Sequence, residues 1–153
     1  MKLIPEWYEH QYCLIAWPCN KDLYGKIINK ARDEVANVIN EIAKTEHVIV
    51  LSNKEDIKEI QNKTDHKNID IVECKLDDSW MRDIAPIFYN EDEKLKSISF
   101  EFNGYGKYPD YLNDNKISKL ISNYFNIPTK ISDLVIEGLS LIHISEPTRQ
   151  AEI

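Results

Sequence analysis

Cysteine, positive charge and long apolar runs are all scarce in this 153-residue sequence. The three cysteines are Cys13, Cys19 and Cys74. They are odd in number, scattered, and show no C-x-x-C spacing, which argues against a disulfide framework and against a structural zinc site. Cys13 lies in an apolar run and reads as a small core residue. Cys19 follows Pro18 and reads as a loop thiol with no histidine beside it in sequence. None of the three is expected to be a nucleophile. Lys and Arg number 19 against 26 Asp and Glu, a net charge of -7. Phosphate binding needs a basic face, so nucleic acid is not an expected partner. The same charge suits a cationic ligand, and equally suits plain solubility. No run approaches the roughly 18 apolar residues of a membrane span. The start, MKLIPEWYEH, carries no apolar secretory core. These features together predict a cytoplasmic protein with no membrane partner.

Glycine is rare as well, with four in the chain. Two of them stand in Asn103-Gly104-Tyr105-Gly106. That stretch lacks the three-glycine dinucleotide fingerprint and is not placed between a strand and a helix, so a phosphate cradle is rejected. Its glycines are expected to let backbone pass close to the acidic loop over 77–83 or a ligand.

The remaining pattern is that of one α/β chain. Residues 11–17 form an apolar run closed by Pro18 and read as a buried strand. Apolar positions from Leu23 to Ile42 recur near a 3.6 period, predicting a helix over 22–44 with Asp22 as N-cap. His47–Leu51 reads as a strand, residues 54–62 as a short helix, and 69–72 as another strand. A strand over 84–89, a charged turn at 91–94 and a strand over 95–102 predict an antiparallel hairpin. A helix over 112–125, with Ile117, Leu120, Ile121, Tyr124 and Phe125 as its apolar face, and a strand over 131–136 complete the series.

The chemistry concentrates in Asp77-Asp78-Ser79-Trp80-Met81-Arg82-Asp83-Ile84-Ala85-Pro86. A surface loop seldom places Trp and Met between charges, because both would be left in water. A buried strand seldom carries three acids, since an unpaired buried carboxylate costs several kcal/mol or more. The lip of a pocket satisfies both constraints. There Trp80 supplies a flat wall, Arg82 neutralises a neighbouring acid, and Asp83 stays ionised to receive a cation. The alternative is a tight turn entering a strand, with Trp80 as ordinary packing. Glu6-Trp7 places another acid beside an aromatic, and either lines the same pocket or packs on the first strand.

This segment resembles the D-D/N-S-W-x-R-D-x-G-P signature of the agmatine deiminase and bacterial peptidylarginine deiminase family. Three further stretches resemble that family in its order: IPEWYEHQYCLIAWP over 4–18, FEFNGYGKY over 100–108 and LVIEG over 134–138. The resemblance implies the first two ββαβ modules, with mixed sheets, of a five-bladed α/β propeller of pentein type. It implies that the parent protein hydrolyses the guanidinium of agmatine, a small cation, to N-carbamoylputrescine and ammonia in putrescine synthesis. Peptidyl-arginine, giving citrulline, is the alternative substrate. No cofactor and no metal are implied. Homo-oligomerisation of the full-length protein stays open. By resemblance Asp83 is the guanidinium-binding acid, Glu137 the acid of E-G-G beside a catalytic histidine, and Trp80 the wall along the substrate's alkyl chain. Glu137 can also be read as a solvent-exposed strand-end residue, because the second glycine of E-G-G is missing.

From Leu139 onward the sequence LSLIHISEPTR leaves the family pattern E-G-G-S-I-H-V-D-G. It resembles the translation of a transposon-end sequencing adapter. The expected division is therefore 1–138, a partial deiminase domain, and 139–153, a non-native tail. A competing reading takes His143 as the histidine of the family's S-I-H. The family's nucleophilic cysteine and H-x-D histidine have no counterpart in 1–138, so this chain by itself is expected to be inactive.

Overall fold

A computed structural model describes residues 2–5, 8–65 and 67–138. The chain divides into two compact units, one of residues 1–9 with 82–153 and one of residues 10–81.

The unit of residues 10–81 is a three-stranded parallel sheet with helices between its strands. Its strands are β2 (Tyr12–Ala16), β3 (His47–Ser52) and β4 (Ile69–Glu73), in the order β2-β3-β4. Both ladders are parallel, pairing Leu14 with Ile49 and Val50 with Ile71. A central parallel strand is covered on both faces, which is why β3 is an unbroken apolar run with Val48 to Ser52 all buried. The predicted long helix is interrupted. Helix α1 (Lys21–Tyr24) ends at Gly25, whose φ of 51° is left-handed, and a 3-10 turn leads into α2 (Ile28–Ile42). The N-cap is Asn20, not Asp22: the Asn20 side chain accepts from the Leu23 amide at 3.0 Å. Leu23, Ile27 and Val38, read as part of the apolar stripe, are exposed. Helix α3 (Ile57–Lys63), entered by a 3-10 turn, buries Ile60. Trp17, Ala36, Ile39, Ala43, Val48, Val50 and Ile60 form the core of this unit. Each large aliphatic side chain so buried contributes about 1.5–3 kcal/mol.

The other unit holds a four-stranded mixed sheet in the order β1-β5-β6-β7. Its strands are β1 (Lys2–Leu3), β5 (Ile87–Glu91), β6 (Lys94–Glu101) and β7 (Thr129–Val135). From β5 onward it follows a ββαβ order, with α5 (Ile117–Tyr124) as its helix. The hairpin expected at 91–94 is present, and Asp92 and Glu93 take φ of 53° and 60° as a two-residue turn of primed type requires. Strand β5 starts after Pro86, because Met81–Ile84 forms one helical turn, α4, instead of entering the strand. The last helix is shorter than 112–125. A 3-10 turn over Asp114–Lys116 precedes α5, and its buried face is Ile117, Ser118, Ile121 and Ser122, with Tyr124 exposed. Ser122 is satisfied sheetward: Ser97 Oγ lies 2.9 Å from Ser122 Oγ and 2.8 Å from Thr129 Oγ1, tying α5 to β6 and β7. Strand β1 was not expected. Its two residues pair antiparallel with Asn90 and Tyr89 of β5, a contact set by long-range register alone.

Candidate active site

Asp83 stands on α4, a single helical turn. Its Oδ2 accepts a hydrogen bond from the Tyr105 hydroxyl at 2.8 Å. Tyr105 reaches it from a backbone with φ 60° and ψ 20°, between Gly104 and Gly106, which are also left-handed. For a residue with a Cβ that conformation costs about 1–2 kcal/mol. The turn is held by the Asn103 side chain, which accepts from the Gly106 amide at 3.0 Å. The Tyr105 ring meets Phe102 edge-on at 5.2 Å. Gly104 leaves room for Tyr111, since a Cβ there would lie 3.2 Å from its ring. Gly104 thus meets the side chains of Tyr111 and Tyr108 and not backbone of the acidic loop, while the turn itself delivers a phenol to the acid.

A cavity of about 10 Å³ opens beside Asp83, walled in part by Phe102, Asp114, Ser118, Ile136 and Gly138. The cavity has room for about one water-sized group. Two of its walls, Ile136 and Gly138, flank Glu137. Gly138 is packed so closely that a Cβ would lie 2.0 Å from the carbonyl oxygen of Arg82. Only glycine fits there, so the chain end of β7 is pressed onto the backbone of α4. Glu137 is half-buried at that junction, not a fully solvated strand-end residue. The structure thus brings the segment of Glu137 to the Asp83 cavity although 54 positions separate the two in sequence.

Trp80 belongs to the unit of residues 10–81 and is 49% exposed. Its Nε1 donates to Asp78 Oδ2 at 2.7 Å. Asp78 is therefore what the indole holds. Ser79 and Tyr24 continue from it, with the Tyr24 hydroxyl 2.7 Å from Ser79 Oγ. Glu6, Trp7 and the tail 139–153, including His143, lie outside the described residues.

Burial, with Glu46 second, pushes the Cys13 thiol above its ordinary value. Cys19 Sγ donates to the Leu76 carbonyl at 3.6 Å. Among the described residues no group of His, Cys, Asp and Glu is arranged to hold a metal ion. No described helix is long and apolar enough to cross a membrane.

The sequence profile of the Porphyromonas-type peptidyl-arginine deiminases matches residues 2–145. The chain belongs to this family. A relative from Mycoplasma capricolum, provisionally named an agmatine deiminase, is 33% identical over 142 residues, covering 89% of this chain and 39% of its own. An agmatine deiminase of C. jejuni, solved as a Cys-to-Ser variant with substrate bound, superposes with a TM-score of 0.80 at 26% identity, over 90% of this chain and 41% of that one. Agmatine deiminase of Enterococcus faecalis superposes with a TM-score of 0.83 at 19% identity, over 90% and 39% of the two chains. The fold is thus the mixed α/β pentein fold of the deiminases. The chain spans about two-fifths of the length of the curated relatives it matches.

Proposed function

We propose that the deiminase of which this chain is a part hydrolyses agmatine to N-carbamoylputrescine and ammonia, in the cytoplasm, on the way to putrescine. The observation that carries this reading is the delivery of Glu137-Gly138 onto the backbone of Arg82, at the cavity of Asp83. A guanidinium is a delocalised, weakly electrophilic cation with a pKa above about 12. Its carbon becomes open to attack when carboxylates fix the plane through paired N–H···O bonds. Asp83 is the acid for that role, with one oxygen already oriented by Tyr105. Glu137 is the second acid, and Trp80 gives an aromatic face to the alkyl chain and its cation. A cysteine thiolate adds to the guanidinium carbon. Ammonia leaves with a proton from a histidine, and water then releases the ureido product and restores the thiolate. The raised Cys13 thiol and the carbonyl-bound Cys19 fit a nucleophile supplied by another part of the protein. The substrate-bound Cys-to-Ser variant among the solved neighbours fits the same chemistry.

Ammonia release from agmatine by the complete gene product tests this. Turnover that falls at least about a hundredfold in Asp83→Asn is the expected result, and no turnover in the parent protein overturns it. Peptidyl-arginine is the second reading, favoured by the description of the matching family. Preference for arginyl peptides over agmatine would establish it. The chain of 153 residues alone is expected to release no ammonia.

We also propose that residues 139–153 do not come from the gene. The family match runs to 145 and takes in His143, which is what the competing reading would use. Resequencing across codon 138 decides: a second glycine after Gly138 supports the proposal, and an unchanged LSLIHISEPTR removes it.

A further inference from the structure

A half-exposed indole on a loop ordinarily exchanges between rotamers, and a wall that moves guides nothing. Trp80 is half-exposed but restrained. Its Nε1 donates to Asp78 Oδ2 at 2.7 Å. The other carboxylate oxygen, Oδ1, accepts from the Ser79 backbone amide at 2.7 Å and lies 3.4 Å from Ser79 Oγ. Ser79 Oγ is in turn 2.7 Å from the hydroxyl of Tyr24, the last residue of α1. One carboxylate therefore clamps the indole with one oxygen and its own loop with the other. The Tyr24 phenol pegs the loop to α1.

We propose that Asp78 is a positioning residue for Trp80, with Ser79 and Tyr24 as its anchor, and that this bracket sets the affinity for the alkyl portion of the guanidinium substrate. The proposal rests on the reading of Trp80 as the substrate wall. A carboxylate suits the task because it offers two acceptor oxygens and no competing donor. An amide offers one acceptor oxygen, so it serves the indole or the loop but not both. Positioning of this kind acts on binding, because the bond-making atoms are elsewhere. Neither Asp78, Ser79 nor Tyr24 touches the reacting atoms in this account.

Two measurements test it. In the 15N-labelled complete protein the indole resonance of Trp80, assigned by Trp80→Phe, should show slowed exchange with water. Asp78→Ala should shift it and speed that exchange, Asp78→Asn should do so in part, and Tyr24→Phe should do so weakly. An indole resonance unmoved by Asp78→Ala overturns the bracket. In the complete enzyme, Trp80→Ala and Asp78→Ala should each raise KM for agmatine roughly tenfold with kcat little changed. The double variant should be no worse than Trp80→Ala alone. If Trp80→Ala raises KM while Asp78→Ala and Tyr24→Phe do not, the positioning role fails and the wall stands. If Trp80→Ala leaves KM unchanged, the wall itself fails, and the positioning role with it.

Discussion

Tyr105 is a large β-rich-type side chain in a conformation made for glycine, and its hydroxyl ends on Asp83. Strain of that kind persists where surrounding structure over-determines it, here the Asn103 cap and the edge contact with Phe102. Tyr105→Phe keeps the ring and removes the donor. In the complete enzyme it should raise KM for the guanidinium substrate by up to about tenfold, read from initial rates at varied agmatine. Gly138→Ala is the more drastic change, because a Cβ there would lie 2.0 Å from backbone that belongs to α4. The junction must shift, so activity should fall by more than about a hundredfold while most secondary structure remains, as circular dichroism would report. Residue types in the acidic loop pointed to Asp83 and Trp80, and the family resemblance pointed to Glu137. Neither pointed to Asp78 or Tyr105 as their partners. A hydrogen bond over two residues can be suspected from Asp-x-Trp, and a left-handed Tyr from its flanking glycines. Which side chain each one meets depends on loop paths that spacing does not encode.

Among the elements, α2 and α3 are joined through Arg32. Its Nε donates to the Pro18 carbonyl at 2.9 Å, and its guanidinium meets Asp56 at 2.8 Å and Glu59 at 2.5 Å. Arg32 and Asp56 are both buried. Burial pushes the Asp56 carboxyl up, and Arg32 pulls it back only in part. Removing the cation leaves a buried acid alone, so Arg32→Met should cost about 3–5 kcal/mol in a urea melt. Arg32→Met combined with Asp56→Leu should recover much of that loss. The β5–β6 hairpin carries an ion pair of the opposite kind, exposed enough to be screened. Lys96 Nζ lies 2.6 Å from Glu91 Oε2, which holds the Glu91 carboxyl below its ordinary 4.5 and the Lys96 amine above its ordinary 10.5. The contribution from Glu91 is therefore whole above pH 4.5 and is lost as pH falls through its depressed folded value. The contribution from Lys96 is whole below pH 10.5 and is lost as pH rises through its raised folded value. Glu91→Gln should lower the urea midpoint slightly at pH 7, and the gap from the parent should close in acid and in high salt. Element types were legible because the periods were clean. Boundaries failed where local backbone overruled the period: Gly25 split a helix and the helical turn Met81–Ile84 delayed a strand.

For the molecule as a whole, strand β7 stands at the end of its sheet with Ile131, Leu134 and Val135 exposed by 67%, 60% and 49%. An open strand with apolar side chains is a template for pairing with another chain. The isolated chain should therefore self-associate, with light scattering growing with concentration. Ile131→Lys with Leu134→Lys should suppress it without lowering the melting temperature, since neither side chain is part of a core. A sharp, concentration-independent melt of parent monomer would count against this. The apolar periods determined an α/β chain, because strand and helix periods are local properties, and the resemblance of four stretches to a known family marked it as of deiminase type. The same resemblance marked Asp83 and Glu137 as candidate acids. The tertiary structure decided what lies beside them. It placed Gly138 against Arg82, Tyr105 on Asp83 and Lys2-Leu3 on β5. Those contacts join residues far apart in the chain, and their geometry follows from sheet register and close packing, which no local pattern specifies.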